Sequence, residues 1–274
     1  MLSIRMGRSF YKMSGSGNDF VFVDARSEPA GELETPEAIQ RISAHGTGVG
    51  ADGLVFLERS EVATFGIRYF NSDGSLASLC GNATLCSARL AVELEIAPAT
   101  GFTIETGAGV LAARVVDGVP EIDLAPVTEV REDAGIPRDP GEQRMGFGLA
   151  GVPHLVILDD DVGQVDVVGR GRPLRSHPSL RQGANVNFVS RDADGRWRMR
   201  TYERGVEGET LACGTGAVAT AVLMDAWGVS PGGIALQTRS GRTLKVRLRR
   251  EGDAWLPSLS GEGRVVYEGR FAEI

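Results

Sequence analysis

Leu79-Cys80-Gly81-Asn82-Ala83 is a stretch that the chain repeats, with changes, half its length later as Ala212-Cys213-Gly214-Thr215-Gly216. In both copies a cysteine is followed by glycine and then by small and apolar residues at helical spacing. A strand-like run and a turn containing an acidic residue and glycine precede each copy. The two stretches therefore predict two similar halves, each with a helix that begins directly after a cysteine.

The blocks around the two cysteines also keep their order along the chain. Ile67–Asn71 resembles Met199–Glu203, and further upstream Asn18–Val21 resembles Val186–Val189. Chance similarity among strands is the alternative explanation, but it does not account for the shared order of blocks. We therefore predict a duplicated α+β domain.

Turn residues and periodicity give a coarse set of elements. Helices are predicted at about 81–94 and 214–227, and a shorter one at 37–43 after the Thr35-Pro36 cap. The prolines and glycine within 130–145 indicate the connection between the halves. Strand-like runs make up much of the rest, at Phe20–Ala25, Leu54–Glu58, Gly66–Phe70, Phe102–Glu105, Leu111–Val116, Leu155–Leu158, Asn185–Val189, Trp197–Tyr202 and Leu244–Leu248.

Composition limits the class of protein. The chain has 274 residues, 42% hydrophobic and 24% charged, as expected for a soluble globular protein of one large or two ordinary domains. Its three cysteines favour a reducing compartment, and with no signal-peptide pattern or membrane-length apolar run we expect a cytoplasmic protein. The net charge of −7 argues against nucleic-acid and anionic-membrane partners.

The glycine-rich stretches do not indicate a nucleotide cofactor. Gly48, Gly50 and Gly53 match the letters of G-x-G-x-x-G, but here a helix precedes and a strand follows, the reverse of a dinucleotide site. No cysteine pair has C-x-x-C spacing and the three histidines are scattered, so no metal site is predicted. We expect tight turns at these glycines, no cofactor and no metal.

The paired cysteines carry the chemistry. A single cysteine at a helix start is more often structural, but two in equivalent surroundings favour a function. The first-turn N–H groups of a helix lower the pKa of such a thiol and bind an anion such as a carboxylate. If the halves face each other, one thiolate could remove an α-proton while the other thiol protonates the opposite face. Cys86 lies about 240° around the predicted helix from Cys80 and is expected in the core.

Several stretches together resemble one known family, the cofactor-independent diaminopimelate epimerases. They span nearly the whole chain, and only their combination is specific. The matching stretches are Lys12-Met13-Ser14-Gly15-Ser16-Gly17-Asn18-Asp19-Phe20, Gly50-Ala51-Asp52-Gly53, Asn71-Ser72-Asp73-Gly74-Ser75, Cys80-Gly81-Asn82, and Glu203-Arg204-Gly205 through Cys213-Gly214-Thr215-Gly216.

The resemblance implies a fold of two pseudo-repeat domains. Each would be a mixed or antiparallel sheet wrapped around a central helix, with the active site in the cleft between the domains. Residues 1–128 would form the first domain with the Cys80 helix, and residues 129–262 the second with the Cys213 helix. Residues 263–274 would return as a strand to the first domain.

The resemblance also implies residue roles. Cys80 and Cys213 would be the acid–base pair, with His154 and Glu203 adjusting their protonation. The residues expected to hold the reacting carboxylate and amine are Gly81, Asn82, Gly214 and Thr215. The residues expected to hold the substrate elsewhere, mostly at its distal amino-acid end, are Asn18, Asn71, Asn187, Glu203 and Arg204.

The sequence departs from the family pattern at places that bear on substrate identity. Val152 stands where the family commonly has asparagine in Gly-Asn-Pro-His, which removes one polar contact to the distal carboxylate, and Glu207 looks like an extra residue before Cys213. Some family members also carry glutamine where Gly53 stands.

The leading hypothesis is epimerisation of LL-diaminopimelate to the meso form, for lysine and peptidoglycan synthesis. The partner is then a small amino acid, and a homodimer is allowed. The nearest rival is a two-cysteine racemase of another amino acid, of histidine or proline type, and Val152 motivates it. A thiol redox or metal-binding protein and a non-catalytic binder are the remaining alternatives.

Overall fold

The computed structural model describes residues 7–272, which divide into two compact units. Unit 1 is Met1–Ile122 with Gly261–Ile274, of which residues 7–122 and 261–272 are described, and unit 2 is Asp123–Ser260. The strands are β1 Ser9–Gly15, β2 Asn18–Asp24, β3 Gly53–Glu58, β4 Phe65–Asn71, β5 Leu76–Ala77, β6 Phe102–Thr106, β7 Gly109–Val116, β8 Val119–Asp123, β9 Val130–Arg131, β10 Glu142–Ala150, β11 Val152–Asp159, β12 Asn185–Arg191, β13 Trp197–Glu203, β14 Gly208–Thr210, β15 Gly233–Gln237, β16 Thr243–Glu251, β17 Ala254–Ser260 and β18 Arg264–Arg270. The helices are α1 Pro36–Ser43, α2 Gly81–Glu93, α3 Val167–Arg175 and α4 Gly214–Ala226, with a short 3-10 helix at Gly31–Glu34.

Each unit builds its sheet by the same route. In unit 1, β1 pairs antiparallel with β2, β2 parallel with β3, and β3 antiparallel with β4, which pairs with β5 and, in parallel, with β6. In unit 2, β10, β11, β12, β13, β14 and β15 make the same pairings in the same senses. One further strand lies antiparallel at the outer side of each first strand, β18 on β1 and β9 on β10. The shared topology shows the pseudo-repeat directly.

The topology corrects one sequence match. Asn18–Val21 opens β2, and its counterpart in unit 2 is β11, whereas Val186–Val189 lies in β12, the counterpart of β3. The match was wrong because both strands are buried on both faces and share the same kind of apolar residues.

A helix that begins after a cysteine lies at the centre of each unit. Helix α2 contacts β1, β4, β7 and β18, and α4 contacts β10, β11, β12, β15, β16 and β17. Both helices have 13 residues, mostly small and apolar, and ten of the 13 are buried in each. A helix that is apolar on all sides is stable only when it is surrounded, so each sheet wraps around its helix. This confirms the predicted α+β architecture.

Local signals set the helix boundaries. Thr35 caps α1 by accepting a hydrogen bond from Ala38 N at 3.3 Å. Helix α3 was not predicted because Pro173 and two glycines lie inside it, yet Asp166 caps it by accepting from Gly169 N at 2.9 Å.

The segment 130–145, predicted as the connection between the halves, lies inside unit 2, where β9 pairs with β10. Among residues 7–272, no helix has the length and apolar character that a membrane span needs.

Candidate functional site

The two cysteines occupy equivalent backbone positions. Cys80 is the N-cap of α2, with φ −131° and ψ 115°, and its carbonyl accepts from Thr84 N at 2.9 Å. Cys213 is the N-cap of α4, with φ −137° and ψ 109°, and its carbonyl accepts from Ala217 N at 3.0 Å. Neither helix has an acidic residue in its first turn. Both thiols thus lie at the positive end of a buried helix, where a thiolate is stabilised.

The surroundings of the two sulfur atoms differ in accessibility. Cys80 is half-buried, whereas Cys213 is buried. The Sγ of Cys213 lies 3.6 Å from Oγ1 of Thr215 in the first turn of α4. That hydroxyl can donate to a thiolate, which adds a local reason for ionisation.

An amide chain joins the Cys80 helix to the start of β2. Asn82 donates from Nδ2 to Oδ1 of Asn18 at 2.7 Å, and Asn18 donates from Nδ2 to Oδ2 of Asp52 at 2.9 Å. The buried Oδ1 of Asn82 has no hydrogen-bond partner among the described residues. An unsatisfied buried acceptor in the first turn after Cys80 suits a donor such as a substrate ammonium group.

Three residues that the sequence analysis did not assign support Asn18. Asp52 also accepts from Asp19 N at 3.1 Å, and Asp19 returns the bond by accepting from Asp52 N at 3.1 Å. The ammonium of Lys12 binds both Asp19 and the carbonyl of Gly50. All three residues lie in the stretches that carry the family resemblance, and this was the feature of the sequence that could have assigned them to the site. Asn71, at the end of β4, donates from Nδ2 to Ser75 at 3.0 Å.

In unit 2, His154 and Asn187 are fully buried together. Asn187 Nδ2 lies 3.1 Å from His154 Nδ1 and donates to the carbonyl of Leu155 at 3.0 Å. Its Oδ1 accepts from Thr201 Oγ1 at 3.0 Å. Both the Nδ2 and the Oδ1 of Asn187 are therefore hydrogen-bonded within the chain, and the side chain packs against the Nδ1 side of His154. Burial, with the nearby positive charge of Arg204, lowers the pKa of His154 to about 3.

Glu203 and Arg204 lie at the end of β13, both half-buried. The backbone N–H of Arg204 donates to Oδ1 of Asn185 at 2.8 Å, and its Nη1 donates to the carbonyl of Gln182 at 2.8 Å. Glu203 accepts from the hydroxyl of Thr210 at 2.7 Å. The sequence analysis did not assign Asn185, although it lies one residue before the block Val186–Val189 that was compared. It pairs with His154 in the parallel register of β11 and β12.

Glu207 organises the loop that carries Arg204. Its carboxylate contacts Arg175 Nη2 at 2.7 Å, accepts from Gly205 N at 3.0 Å and accepts from the hydroxyl of Tyr202 at 3.2 Å. Its own N–H donates to the carbonyl of Glu203 at 2.8 Å, with φ at 58°. The Gly205 bond, with Arg175 and Tyr202, holds the pKa of Glu207 below its ordinary value. Glu207, which looks like an extra residue relative to the family pattern, thus holds this loop together through its hydrogen bonds.

For the amino-acid substrate that the family resemblance implies, we expect Glu207→Ala to raise KM about three- to tenfold with little change in kcat. The Arg204 loop loses three contacts, whereas the cysteines keep theirs. Steady-state kinetics measure this, with Glu251→Ala, an exposed carboxylate of the same unit, as the control. An unchanged KM in Glu207→Ala would show that the loop does not depend on Glu207.

The low pKa of His154 predicts a pH-dependent stability. The folded pKa of about 3 lies below the ordinary histidine pKa of 6.5, so between these two pH values the unfolded chain binds one more proton than the folded chain. Stability from neutral His154 is present above about pH 6.5 and is lost toward pH 3, by at most about 1.4 kcal/mol per pH unit.

The comparison of the wild type with His154→Gln isolates this effect in urea unfolding. We expect the stability advantage of the wild type to shrink as pH falls through that window, whereas His177→Gln, the control, tracks the wild type. A wild-type advantage that stays constant from neutral to acid pH contradicts a buried neutral His154.

The predicted residues of each unit gather at one edge of its sheet. In unit 1, Asn18 begins β2 and Asn71 ends β4. In unit 2, Val152 begins β11 and Glu203 ends β13. The N-terminus of a central helix, with its cysteine, lies at each of these edges. In unit 1, Asn82 of α2 donates to Asn18, and in unit 2, Gly216 of α4 packs against the Asn187 amide. Each unit thus offers a thiol, a helix N-terminus that can bind a carboxylate, and polar side chains for an amino acid.

Val152 itself lies beside the predicted carboxylate-binding turn. A Cβ at the preceding Gly151 would be 3.9 Å from Cγ2 of Thr215, so Gly151 lies close to the first turn of α4. Among residues 7–272, no three His, Cys, Asp or Glu side chains come together as a metal ion would require.

The chain is similar to known proteins both in sequence and in fold. The family model described as diaminopimelate epimerase matches residues 10–127 and 148–267. The chain is 51% identical over 275 aligned residues to the diaminopimelate epimerase of Gemmatimonas aurantiaca, covering 96% of this chain and 99% of that protein. It is 38% identical to that of a Hydrogenobaculum species, covering 94% and 96%. The crystal structure of the Bacillus anthracis phenazine biosynthesis protein of the PhzF family is similar in fold, with a TM-score of 0.71 at 19% identity and coverage of 96% and 98%.

Proposed function

The chain belongs to the diaminopimelate epimerase family, and we propose that it converts LL-2,6-diaminopimelate to the meso form with Cys80 and Cys213 as acid and base. The protein is an isomerase. The observation that carries the proposal is the pair of cysteines at equivalent N-caps of two buried helices. Relatives named for this activity match the chain over nearly its full length, which supports the substrate.

The proton transfer follows from the helix starts. One cysteine, as thiolate, removes the α-proton, and the other, as thiol, delivers a proton to the opposite face of the same carbon. Negative charge develops on the α-carboxylate during this step. The first-turn N–H groups at Gly81, Asn82, Gly214 and Thr215 stabilise that charge. The cysteines exchange roles when the reaction runs in reverse, so the same two thiols carry the proton transfers in both directions.

The distal amino-acid end is held by the polar residues of the sheet edges. The guanidinium of Arg204 offers a planar fork for a carboxylate, and Glu203 offers an acceptor for an ammonium group. Val152 gives one polar contact fewer here than asparagine would. The same residue favours the second candidate, racemisation of an amino acid with a smaller or less polar side chain.

A substrate panel separates the two candidates. Purified protein is incubated with LL-diaminopimelate and, in parallel, with L-histidine and L-proline, and the stereoisomers are quantified by chiral chromatography. We expect meso-diaminopimelate to form from the first substrate at a kcat/KM at least about 100-fold above the others, since unpaired polar groups in the site disfavour the smaller amino acids. Turnover of histidine or proline without diaminopimelate would replace the proposed substrate.

The cellular setting follows from the chemistry. We place the reaction in the supply of lysine and peptidoglycan precursors, in the cytoplasm. The mechanism requires Cys80 and Cys213 in reduced form, and the cytoplasm keeps protein thiols reduced. A cell-fractionation experiment with activity in the cytoplasmic fraction is the expected result.

A further inference from the structure

The orientation of the Asn187 amide is determined by its neighbours. The carbonyl of Leu155, 3.0 Å away, can only accept a hydrogen bond, so the group facing it must be Nδ2. The hydroxyl of Thr201 donates to the other end, Oδ1, at 3.0 Å. Rotating the amide by half a turn would set two carbonyl oxygens against each other in a fully buried place.

This orientation determines where the proton of His154 lies. The same Nδ2 lies 3.1 Å from His154 Nδ1, and an amide NH₂ can only donate. Nδ1 therefore carries a lone pair. In a neutral imidazole the single proton is then on Nε2. His154 is fully buried, which keeps the ring neutral.

The Nε2–H group has no acceptor in the described part of the chain. Nε2 is buried and without a hydrogen-bond partner, and an unpaired buried donor costs free energy unless something else satisfies it. His154 pairs in register with Asn185, which binds the backbone of Arg204. The Asn187 amide behind His154 contacts Gly216 in the first turn of α4. The unpaired donor thus lies in the part of unit 2 that carries Arg204 and Cys213.

We propose that Asn187 is a positioning residue: it fixes His154 as the Nε2–H tautomer, so that His154 donates a hydrogen bond to an anionic group of the reaction site. His154 then assists by donation and does not accept the proton of a cysteine. Asn187 acts through His154 and does not touch the substrate. This inference rests on the proposed function, because His154 belongs to a reaction site only if the chain is an epimerase.

Nitrogen NMR of the full chain labelled with ¹⁵N-histidine tests the tautomer directly. The chain has three histidines, and the variants His45→Gln and His177→Gln assign the remaining signals to His154. We expect unprotonated Nδ1 and protonated Nε2 in the wild type at neutral pH. Asn187→Asp places a carboxylate against Nδ1 and should move the proton there. Thr201→Val, the control, removes a hydroxyl but leaves Leu155 to orient the amide, so the tautomer should stay.

Kinetics link the tautomer to the reaction. We expect Asn187→Asp to lower kcat about 100-fold or more while KM changes less than about threefold, because the donor is lost but the residues that bind substrate remain. Protonated Nδ1 in the wild type overturns the inference even if no variant folds. An Asn187→Asp protein that keeps the wild-type tautomer, or one that switches it with full kcat, overturns it as well. Absence of wild-type turnover on any amino acid defeats the proposed function and leaves the NMR result standing.

Discussion

Cys80→Ala and Cys213→Ala are each expected to lower kcat for diaminopimelate epimerisation by about 10²- to 10⁴-fold, the usual contribution of a positioned acid or base. Each substitution removes one of the two proton carriers and leaves the helix N-termini that bind the carboxylate. KM should therefore change much less than kcat. The measurement is steady-state kinetics in both directions, with circular dichroism to show that each variant remains folded.

Cys86→Ala is the matched control for these variants. Cys86 lies in the same helix as Cys80 but is fully buried, and burial raises the pKa of its thiol far above the ordinary value. It therefore stays protonated and takes no part in proton transfer. We expect kcat within about threefold of the wild type. An equal loss of activity in Cys86→Ala and Cys80→Ala would mean that activity does not depend on a thiol at the N-cap of α2.

Gly216→Ala is expected to lose both stability and activity. An added Cβ would come within 2.3 Å of Asn187 Oδ1 and 3.2 Å of Cys213 Cβ. The amide is held by Leu155 and Thr201 and cannot move aside without losing buried hydrogen bonds. Overpacking of this kind costs about 1–3 kcal/mol. Any shift of the first turn of α4 also displaces Cys213, so kcat should fall at least about tenfold.

Gly148→Ala tests whether the Gly216 effect is specific. Gly148 is also buried against α4, but its added Cβ would meet Ala219 at 3.9 Å, an ordinary contact. Urea unfolding and kcat of this variant should both stay near the wild type. If the two alanine variants lose stability and activity equally, the close packing of Gly216 on Asn187 is not the cause.

The central helices could be predicted from the sequence almost to the residue. Helix α2 begins at Gly81 as expected, and α4 begins at Gly214. The reason is local, because in both stretches a cysteine and a glycine are followed directly by small and apolar residues at helical spacing. The cap at Thr35 placed α1 in the same way. Signals of this kind depend on neighbouring residues alone.

What could not be predicted depends on contacts across the fold. The partner of β2 in the repeat required the pairing of strands, since buried strands share the same apolar composition. Helix α3 contains a proline and two glycines, and one of these, Gly171, is needed because a Cβ there would lie 2.5 Å from Tyr202 Cβ. The position of Asn187 behind His154 likewise follows only from three buried hydrogen bonds, although the sequence placed both residues near the site.

The epimerisation of LL-diaminopimelate in deuterium oxide tests the two-cysteine account most directly. The acid thiol exchanges its proton with solvent before the reaction, whereas the base takes the substrate proton. Early in the reaction, the meso product should therefore carry one deuterium at the inverted carbon, while the remaining LL substrate carries almost none. A meso product that keeps the original proton at that carbon would mean that a single group both removes and returns it, and would contradict the roles of Cys80 and Cys213.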